Sequence, residues 1–189
     1  MLPREFYARP SVEVARDLLG KVIVHGSTAG RIVEVEAYLG LKDGAAHASR
    51  GLTPRTKVIF GPPGHAYVYF IYGMYECLDL VAEPEGSPGC VLIRALEPVA
   101  GIKLMMRRRG VIRIEETASG PGKLTVAMAI TRKQNGADVT IAGRPLTVRR
   151  MPDEEPLRVI SGPRVGIRKA VDWPLRFYLA GNPHVSRPR

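Results

Sequence analysis

Proline and glycine interrupt this chain along its whole length. Its 189 residues include 16 prolines and 20 glycines, spread without a linker-like block or a repeat. Because proline cannot donate a backbone hydrogen bond and glycine weakens helix interiors, this distribution favours many short strands and turns over a helix bundle. The length suits one compact domain with a sizeable core, so we predict a single domain over residues 1–189.

Apolar and β-branched runs between these turns predict the secondary structure. We expect strands over 21–25, 31–38, 66–72, 77–82, 90–96, 164–167 and 175–179. We expect helices after Ser11, over 99–109 with Val99 on the buried side, and over 123–130, and a hairpin around Asn135-Gly136. This pattern predicts an α+β fold with flanking helices and a curved, mainly antiparallel sheet. The long segment 39–63 has little periodicity, which is typical of functional or disordered loops.

The chain carries a formal net charge of +10. A surface of that charge attracts polyanions, nucleic acid before acidic membranes, although charge alone does not choose between them. No apolar run approaches the length of a membrane span, and the N-terminus lacks the layout of a signal peptide. We therefore expect a soluble cytoplasmic protein that is not secreted and that, in a bacterium, associates with the nucleoid.

Cys77 and Cys90 are the only cysteines in the sequence. Neither belongs to a C-x-x-C pair, which argues against a structural zinc or an iron–sulfur cluster held by four cysteines. In a reducing compartment we expect two packed thiols, with a disulfide between them as the alternative. We predict that the protein needs no metal and no other cofactor.

Two carboxylates alternate along the predicted strand RIVEVEAY at 31–38. Glu34, Glu36 and Tyr38 share one face of such a strand, because side chains alternate. The two acids lie about 6.5–7 Å apart along the strand, and like charges raise the proton affinity of the more buried acid. This pair is a candidate for acid–base chemistry. An ordinary solvent-facing strand surface explains the same spacing.

Aromatic residues dominate the predicted strand that follows His65. Tyr67 and Tyr69 project to one face of it, where core packing is the usual role of such residues. Tyr72 differs, because it lies at the tip of a predicted hairpin with Gly73 and Met74 and has little core to enter. An exposed aromatic at that tip could wedge between base pairs and fill the gap left by an extruded nucleotide.

Several basic residues occupy positions that suit phosphate binding. Lys123 follows Gly120-Pro121-Gly122 at a predicted helix start, where free N–H groups and the helix dipole favour an anion. Thr53 and Arg55 lie in the long loop and offer further donors. The run 107–109 falls in the last turn of a helix, where cations are favourable for structural reasons alone.

Taken in order, these segments resemble the alkyladenine (3-methyladenine) DNA glycosylase family. The matching stretches are 6–21, RIVEVEAY at 31–38, AAH at 45–47, TPR at 53–55, GPPGHAYVY at 61–69, IYGM at 71–74, VLIRALEP at 91–98, GPGK at 120–123 and GPRVGI at 162–167. The likeness spans nearly the whole chain, and the joint order of the motifs, more than any one of them, carries it.

The resemblance implies a role for each matching residue. Glu36 corresponds to the general base that activates the attacking water, and Arg94 to the residue that helps to hold that water and Glu36. The residues that bind the flipped base correspond to Tyr38, Ala46, His47, Tyr69 and Asp79. The residues that contact DNA correspond to Tyr72, which intercalates, and to Gly73, Met74, Thr53, Arg55 and Lys123. Asp79 departs from the family's expected asparagine, which crowds the purine 2-position.

The resemblance also implies the fold and the activity. It adds a protruding, DNA-inserting hairpin to the curved sheet. It implies a monofunctional glycosylase that flips alkylated purines from double-stranded DNA and hydrolyses their N-glycosidic bond, with deaminated purines left open. A monomer is the default expectation for an enzyme that must wrap one face against a duplex. We expect no lyase activity, because no lysine stands at the position of Glu36. This interpretation requires the Glu36 oxygens to lie toward an aromatic cavity.

Three other interpretations remain open at this point. A catalytically silent nucleic-acid binding module is equally compatible with the charge and the exposed aromatics. A helix-hairpin-helix glycosylase would need a glycine-rich hairpin between helices and a downstream aspartate, and the sequence has no such pattern. An RNA-modifying or nucleoside-hydrolysing enzyme would have no need of Tyr72 at a hairpin tip.

Overall fold

Eight strands form one antiparallel sheet in the computed structural model, which describes residues 1–71, 73–151 and 156–186. The strands are β1 (Val22–His25), β2 (Thr28–Tyr38), β3 (Ala66–Ile71), β4 (Tyr75–Ala82), β5 (Gly89–Ala100), β6 (Leu146–Arg149), β7 (Val159–Gly162) and β8 (Arg176–Leu179). Their order is β3-β4-β5-β2-β1-β6, and β8 joins β2 to β7. The sheet curls into a half-barrel, so the α+β prediction with a curved antiparallel sheet is confirmed.

The long strand β2 lies at the centre of this sheet. It pairs with β5 along one edge, while β1 pairs with its first half and β8 with its second half. The register with β5 shifts on both sides of Glu34, as at a β-bulge. Val33, Val35 and Ala37 belong to the main core, so the opposite face of β2 carries Glu36.

Four short helices flank the sheet among the described residues: α1 (Arg4–Tyr7), α2 (Ser11–Leu18), α3 (Ile102–Arg109) and α4 (Pro121–Met128). The helix α2 buries Val14, Ala15 and Leu18 against the main core, and it ends where Gly20 adopts a positive φ of 81°. A second, smaller core that contains Tyr67, Tyr69, Cys77 and Cys90 lies apart from the main one. Both cysteines are free and buried, so they are packed thiols rather than a disulfide.

The strand that starts near Cys90 is longer than predicted. It runs through Glu97-Pro98 to Ala100, and Val99 is an exposed strand residue rather than part of a helix. Pro98 pairs with Gly30 at a register shift, where the missing N–H of proline is tolerated. The helix starts only after Gly101, which takes a positive φ of 66°.

Two predicted elements are absent because their hydrogen bonds go to distant parts of the chain. The hairpin around Asn135-Gly136 is wrong: a 3-10 turn, Arg132–Gln134, ends there, and Asn135 accepts a hydrogen bond from the Val68 N–H. The strand over 164–167 is also wrong, because the Val165 N–H donates to the Glu36 carboxylate instead of to a neighbouring strand. Three elements of four residues each, α1, β6 and β7, were not predicted.

The hairpin of β3 and β4 protrudes from the sheet, as expected. Phe70, Met74 and Tyr75 are exposed near its tip, and Gly73 takes a positive φ of 67° in the turn. Tyr72, the predicted intercalating residue, lies outside the described residues. Within the described ranges, none of the helices is both long enough and apolar enough to cross a membrane.

Candidate active site

A cavity of about 500 Å³ opens on the face of the sheet that carries Tyr69 and Asp79. Strands β2 to β5 contribute its floor, and two loops, around residues 44–47 and 165–169, contribute its walls. The start of α4 and the hairpin residue Tyr75 complete the rim. The cavity thus gathers residues from seven separate stretches of the chain: Tyr38, 44–47, Ile59, 69–79, 90–94, 121–122 and 165–169.

Glu36 lies directly behind this cavity. Its carboxylate accepts hydrogen bonds from the Tyr38 hydroxyl at 2.9 Å and from the Val165 N–H at 2.7 Å, and the Arg94 Nη1 lies 3.2 Å from Oε1. All three partners line the cavity. Glu36 itself is fully buried and faces the cavity through these three groups, so a water reaches its carboxylate only when one of them moves.

The environment of Glu36 favours a carboxyl group that holds its proton more tightly than usual. Burial raises the pKa of Glu36, whereas the Arg94 charge, the Val165 N–H and the Tyr38 hydroxyl lower it, and the nearby Glu34 raises it further. Glu34 is also fully buried and pairs with Arg94 and Arg176. A solvent-facing surface for the two glutamates is therefore wrong.

Three aromatic rings cluster at one side of the cavity. The His47 ring meets the Tyr69 ring edge to face at 4.6 Å between centroids, and Tyr69 stacks on Tyr67 at 4.8 Å. The His47 Nδ1 lies 3.1 Å from the Tyr67 hydroxyl. Burial, with the charges of Arg55 and Arg50, lowers the pKa of His47 to about 4, so this ring is neutral near neutral pH.

Tyr38 completes the aromatic lining. The Arg164 guanidinium lies 4.6 Å from the centre of its ring. Burial and the negative charge of Glu36 raise the pKa of the Tyr38 hydroxyl well above its usual range, so it stays a hydrogen-bond donor. Ala46 is buried in the same loop as His47, but Ala45 rather than Ala46 contributes to the wall.

Asp79 is a buried acid in the cavity lining. Its Oδ2 accepts a hydrogen bond from the Cys90 thiol at 3.2 Å, and its buried Oδ1 has no hydrogen-bond partner among the described residues. Burial raises the pKa of Asp79 to about 7, and the Glu36 charge adds to this, against hydrogen bonds from Cys90 and Tyr69. Asp79 therefore changes its charge close to neutral pH.

The other predicted DNA-contacting residues lie around the cavity at varying degrees of exposure. Arg55 is exposed, with its guanidinium 5.7 Å from the centre of the Tyr69 ring. Lys123 is exposed in the first turn of α4, next to the cavity residues Pro121 and Gly122. Thr53 is half-buried, and its hydroxyl pairs with that of Thr56 at 2.9 Å, which is a local structural contact.

Sequence reasoning missed a buried ion pair that joins the two walls. Asp43 and Arg164 form a bidentate pair with both side chains fully buried. Asp43 also accepts the N–H groups of Leu39 and Ala45, and Arg164 donates to the Ala37 carbonyl. The motif at 162–167 predicts a strand, and a strand pattern gives no sign of this ion pair. Across the described ranges, no cluster of three or more His, Cys, Asp or Glu side chains could hold a metal ion.

Comparisons with known protein sequences cover nearly the whole chain. The family model described as methylpurine-DNA glycosylase matches residues 5–183. A protein of Methanoculleus marisnigri is 53% identical over 192 residues, which covers 98% of this chain and 98% of the relative. Relatives from Methanocella arvoryzae and Alkaliphilus oremlandii are 52% and 45% identical, with coverage of 96% or more of both chains in each case. All three bear the name "Putative 3-methyladenine DNA glycosylase".

Proposed function

The chain belongs to the methylpurine-DNA glycosylase family, and from that premise we propose that Glu36 activates the water that releases a damaged purine from DNA. Membership of this family identifies the protein as a DNA glycosylase of the 3-methyladenine type, which acts on alkylated bases. One observation carries the assignment of Glu36: all three groups that contact its carboxylate line a single aromatic cavity.

In the proposed reaction the C1′–N bond of the damaged nucleotide breaks and a C1′–O bond to water forms. Glu36 takes the proton of that water, and its negative charge stabilises the oxocarbenium-like sugar of the transition state. The raised pKa of Glu36 suits a base that works near neutral pH. Arg94 holds the water against Glu36, because its Nη1 already lies beside Oε1.

The cavity suits a purine that carries a positive charge. Alkylation at N3 or N7 makes the base cationic, so that it leaves the sugar as a neutral molecule. A cation over an aromatic ring gains about 0.5–2 kcal/mol per ring. The neutral His47 adds no repulsion, so Tyr38, His47 and Tyr69 together favour the charged lesion over a normal base.

The substrate base must leave the helix to reach this cavity, so we propose base flipping. Damaged pairs cost less to open, which adds selectivity at this step. The exposed tip of the β3–β4 hairpin, with Gly73 and Met74, supports insertion into the duplex, and Tyr72 is the proposed intercalating residue. If Tyr72→Ala kept full activity on duplex DNA, a nucleoside-hydrolysing or RNA-modifying activity would become the better interpretation.

The decisive test is base release from duplexes that each carry one defined lesion: 3-methyladenine, 7-methylguanine, hypoxanthine or ethenoadenine. We expect release of the alkylated purines, and we expect Glu36→Gln to lower the single-turnover rate by about 10²-fold or more with DNA affinity kept. Glu115→Gln, at a partly exposed position outside the cavity, is the matched control. A wild-type protein that binds DNA but releases no base would instead be a binding module.

We propose hydrolysis without strand cleavage. Lys169 is the one lysine among the residues that line the described cavity, and it is exposed at the rim, while Glu36 lies behind the floor. An abasic duplex should therefore stay intact on incubation with the enzyme. Nicking that disappears in Lys169→Gln would identify this amine as a Schiff-base nucleophile and contradict the proposal.

The range of lesions is proposed to depend on Asp79. Its carboxylate keeps the bulk of an asparagine but offers only acceptors when it is ionised. We expect it to tolerate the 2-amino group of guanine derivatives and to attract cationic bases. The rates for 7-methylguanine, 3-methyladenine and hypoxanthine should therefore change relative to one another in Asp79→Asn, and identical ratios would refute the idea.

We also propose that the enzyme acts as a monomer and without a metal. Light scattering should give the mass of one chain at the concentrations used for the assay. Base release should be unchanged by EDTA. A dimer, or loss of activity that returns on adding a divalent cation, would overturn these two points separately.

A further inference from the structure

A buried cluster of two glutamates, two arginines and one serine lies behind the cavity floor. Glu34 and Glu36 are fully buried, and Arg94, Arg176 and Ser186 are each 7% exposed or less. The two positive and two negative side chains balance one another. Such a cluster is costly to desolvate, so its members must satisfy one another in a defined geometry.

Each nitrogen of the Arg94 guanidinium has a different partner in this cluster. Its Nε donates to Glu34 at 2.9 Å, and its Nη2 donates to the Ser186 hydroxyl at 3.2 Å. Its Nη1 is left to Glu36, 3.2 Å away. Because the guanidinium is planar and rigid, anchoring two nitrogens fixes the direction of the third.

The carboxylate of Glu34 is fully occupied by hydrogen-bond donors, so it is not free to act on a substrate or a water. Its carboxylate accepts four bonds: from Arg94 Nε, from Arg176 Nε at 2.7 Å, from the Ser186 N–H at 2.6 Å and from the Ser186 hydroxyl at 2.8 Å. Arg176 in turn donates to the Ser186 carbonyl at 3.2 Å. Ser186 is thus held on both sides and bridges Glu34 and Arg94.

We propose that Glu34 and Ser186 are positioning residues that hold the Arg94 guanidinium on Glu36 and so orient the attacking water. The inference rests on the proposed function of Glu36. Neither residue lines the cavity, so both act through Arg94. The segment around Ser186, which follows β8, thereby supports the active site from outside the cavity.

The test is Ser186→Ala, which removes two hydroxyl contacts and changes no charge. We expect the single-turnover rate of base release from a 7-methylguanine duplex to fall by about ten-fold or more, with DNA affinity kept. The acid limb of the pH–rate profile should move to higher pH, because a loosened Arg94 stabilises the Glu36 anion less. Ser186→Thr, which keeps a hydroxyl, should restore both.

Ser11→Ala is the matched control. Ser11 is also buried, and its hydroxyl also donates to a glutamate, Glu83, at 2.6 Å, but neither residue lines the cavity. If Ser186 has a merely structural role, both variants should lose stability. Both should then keep the wild-type rate of base release per folded molecule and the wild-type position of the acid limb of the pH–rate profile. That result would overturn the inference.

Glu34→Gln is the companion variant, and it should lower the rate at least as far as Ser186→Ala does. If Glu34→Gln does not fold, the rate and pH profile of Ser186→Ala decide alone. A wild-type enzyme that releases no base from any lesion duplex would refute the proposed function instead, which separates the two failures.

Discussion

At the scale of single residues, burial drives the groups around the cavity toward their neutral forms. It raises the pKa of Glu36, Asp79 and Tyr38 and lowers that of His47. Uncharged aromatic rings in the cavity lining, with the Glu36 carboxyl group behind the floor, are complementary to a ligand that brings its own positive charge. The shifts therefore fit a cationic base better than a neutral one.

Asp79 gives this argument a measurable consequence for stability. Its pKa is raised from 3.8 to about 7 in the folded protein, so between these values the folded state holds a proton that the unfolded chain has lost. Stability contributed by that proton is present below the unfolded pKa and is lost as pH rises through about 7. Asp79→Asn cannot ionise, so its free energy of unfolding should exceed that of the wild type by about 4 kcal/mol near pH 8.

Urea denaturation of both proteins near pH 4 and near pH 8 checks this prediction. The advantage of Asp79→Asn should be small at the acid end, since Asn also accepts a bond from Cys90 and keeps the bulk. An equal difference at both pH values would mean that Asp79 ionises normally in the folded protein.

At the scale of elements, the two cavity walls depend on one ion pair. Arg164 precedes Val165, which donates to Glu36, and Asp43 starts the loop that leads to His47. Their bidentate contact therefore joins the two wall loops and places Arg164 behind Tyr38. We call the Asp43–Arg164 pair the clasp, because it links two wall loops that no strand pairing joins.

Asp43→Asn should break this clasp. Removing one charge leaves the other buried and uncompensated, which typically costs about 3–5 kcal/mol. Thermal or urea denaturation should report that loss, and base release per folded molecule should fall as the walls separate. Glu115→Gln, which removes an exposed ion pair with Arg113, should leave both quantities unchanged. A stable and fully active Asp43→Asn would contradict the clasp.

The hairpin depends on a close approach between α4 and Tyr75. A Cβ on Gly122 would lie 2.8 Å from the Tyr75 Cβ, too close without a shift of the hairpin. The Thr125 hydroxyl, which donates to the Glu76 carbonyl at 2.9 Å, adds a second link between the two elements. The orientation of the β3–β4 hairpin is thus set by the start of α4.

Gly122→Ala should displace the hairpin and weaken binding to a lesion duplex, as measured by fluorescence anisotropy. Overpacking costs about 1–3 kcal/mol of stability, offset by roughly 1 kcal/mol of helix propensity. Gly162→Ala is the control, since a Cβ there meets nothing within 4 Å. Equal DNA affinity in the two variants would show that the hairpin tolerates the shift.

At the scale of the whole molecule, the net charge of +10 should make DNA binding strongly salt-dependent. A protein that neutralises about six phosphates loses roughly 10³-fold in affinity between 50 mM and 200 mM salt. Lys123→Gln should reduce the slope of log affinity against log salt by about one, if Lys123 contacts a phosphate. Arg107→Gln, an exposed charge at the end of α3, should leave the slope unchanged. Equal salt dependence in Lys123→Gln and the wild type would show that Lys123 does not contact a phosphate.

The local architecture could be predicted from the sequence because it depends on neighbouring residues. Three local patterns were sufficient to predict the central strands, the hairpin and the α+β class. They are the alternation over 31–38, the aromatic run before Tyr72 and the turns at glycine and proline. The ordered motifs were sufficient for the family. The hairpin prediction at Asn135-Gly136 failed because this segment bonds to the distant strand β3: the Gly136 N–H donates to the Ala66 carbonyl, and the Asn135 side chain accepts from the Val68 N–H.

The environment of the two glutamates was decided only by the tertiary structure. The hydrogen-bonded partners of these acids are far away in the sequence. Arg94 and Glu34 are 60 residues apart, Val165 and Glu36 are 129 residues apart, and Ser186 and Glu34 are 152 residues apart. Strand alternation places both acids on one face, but it does not indicate whether that face meets water or buried donors. Those partners come from strands and loops joined by the sheet topology, and their hydrogen bonds turn a pair of alternating acids into an ordered, buried cluster.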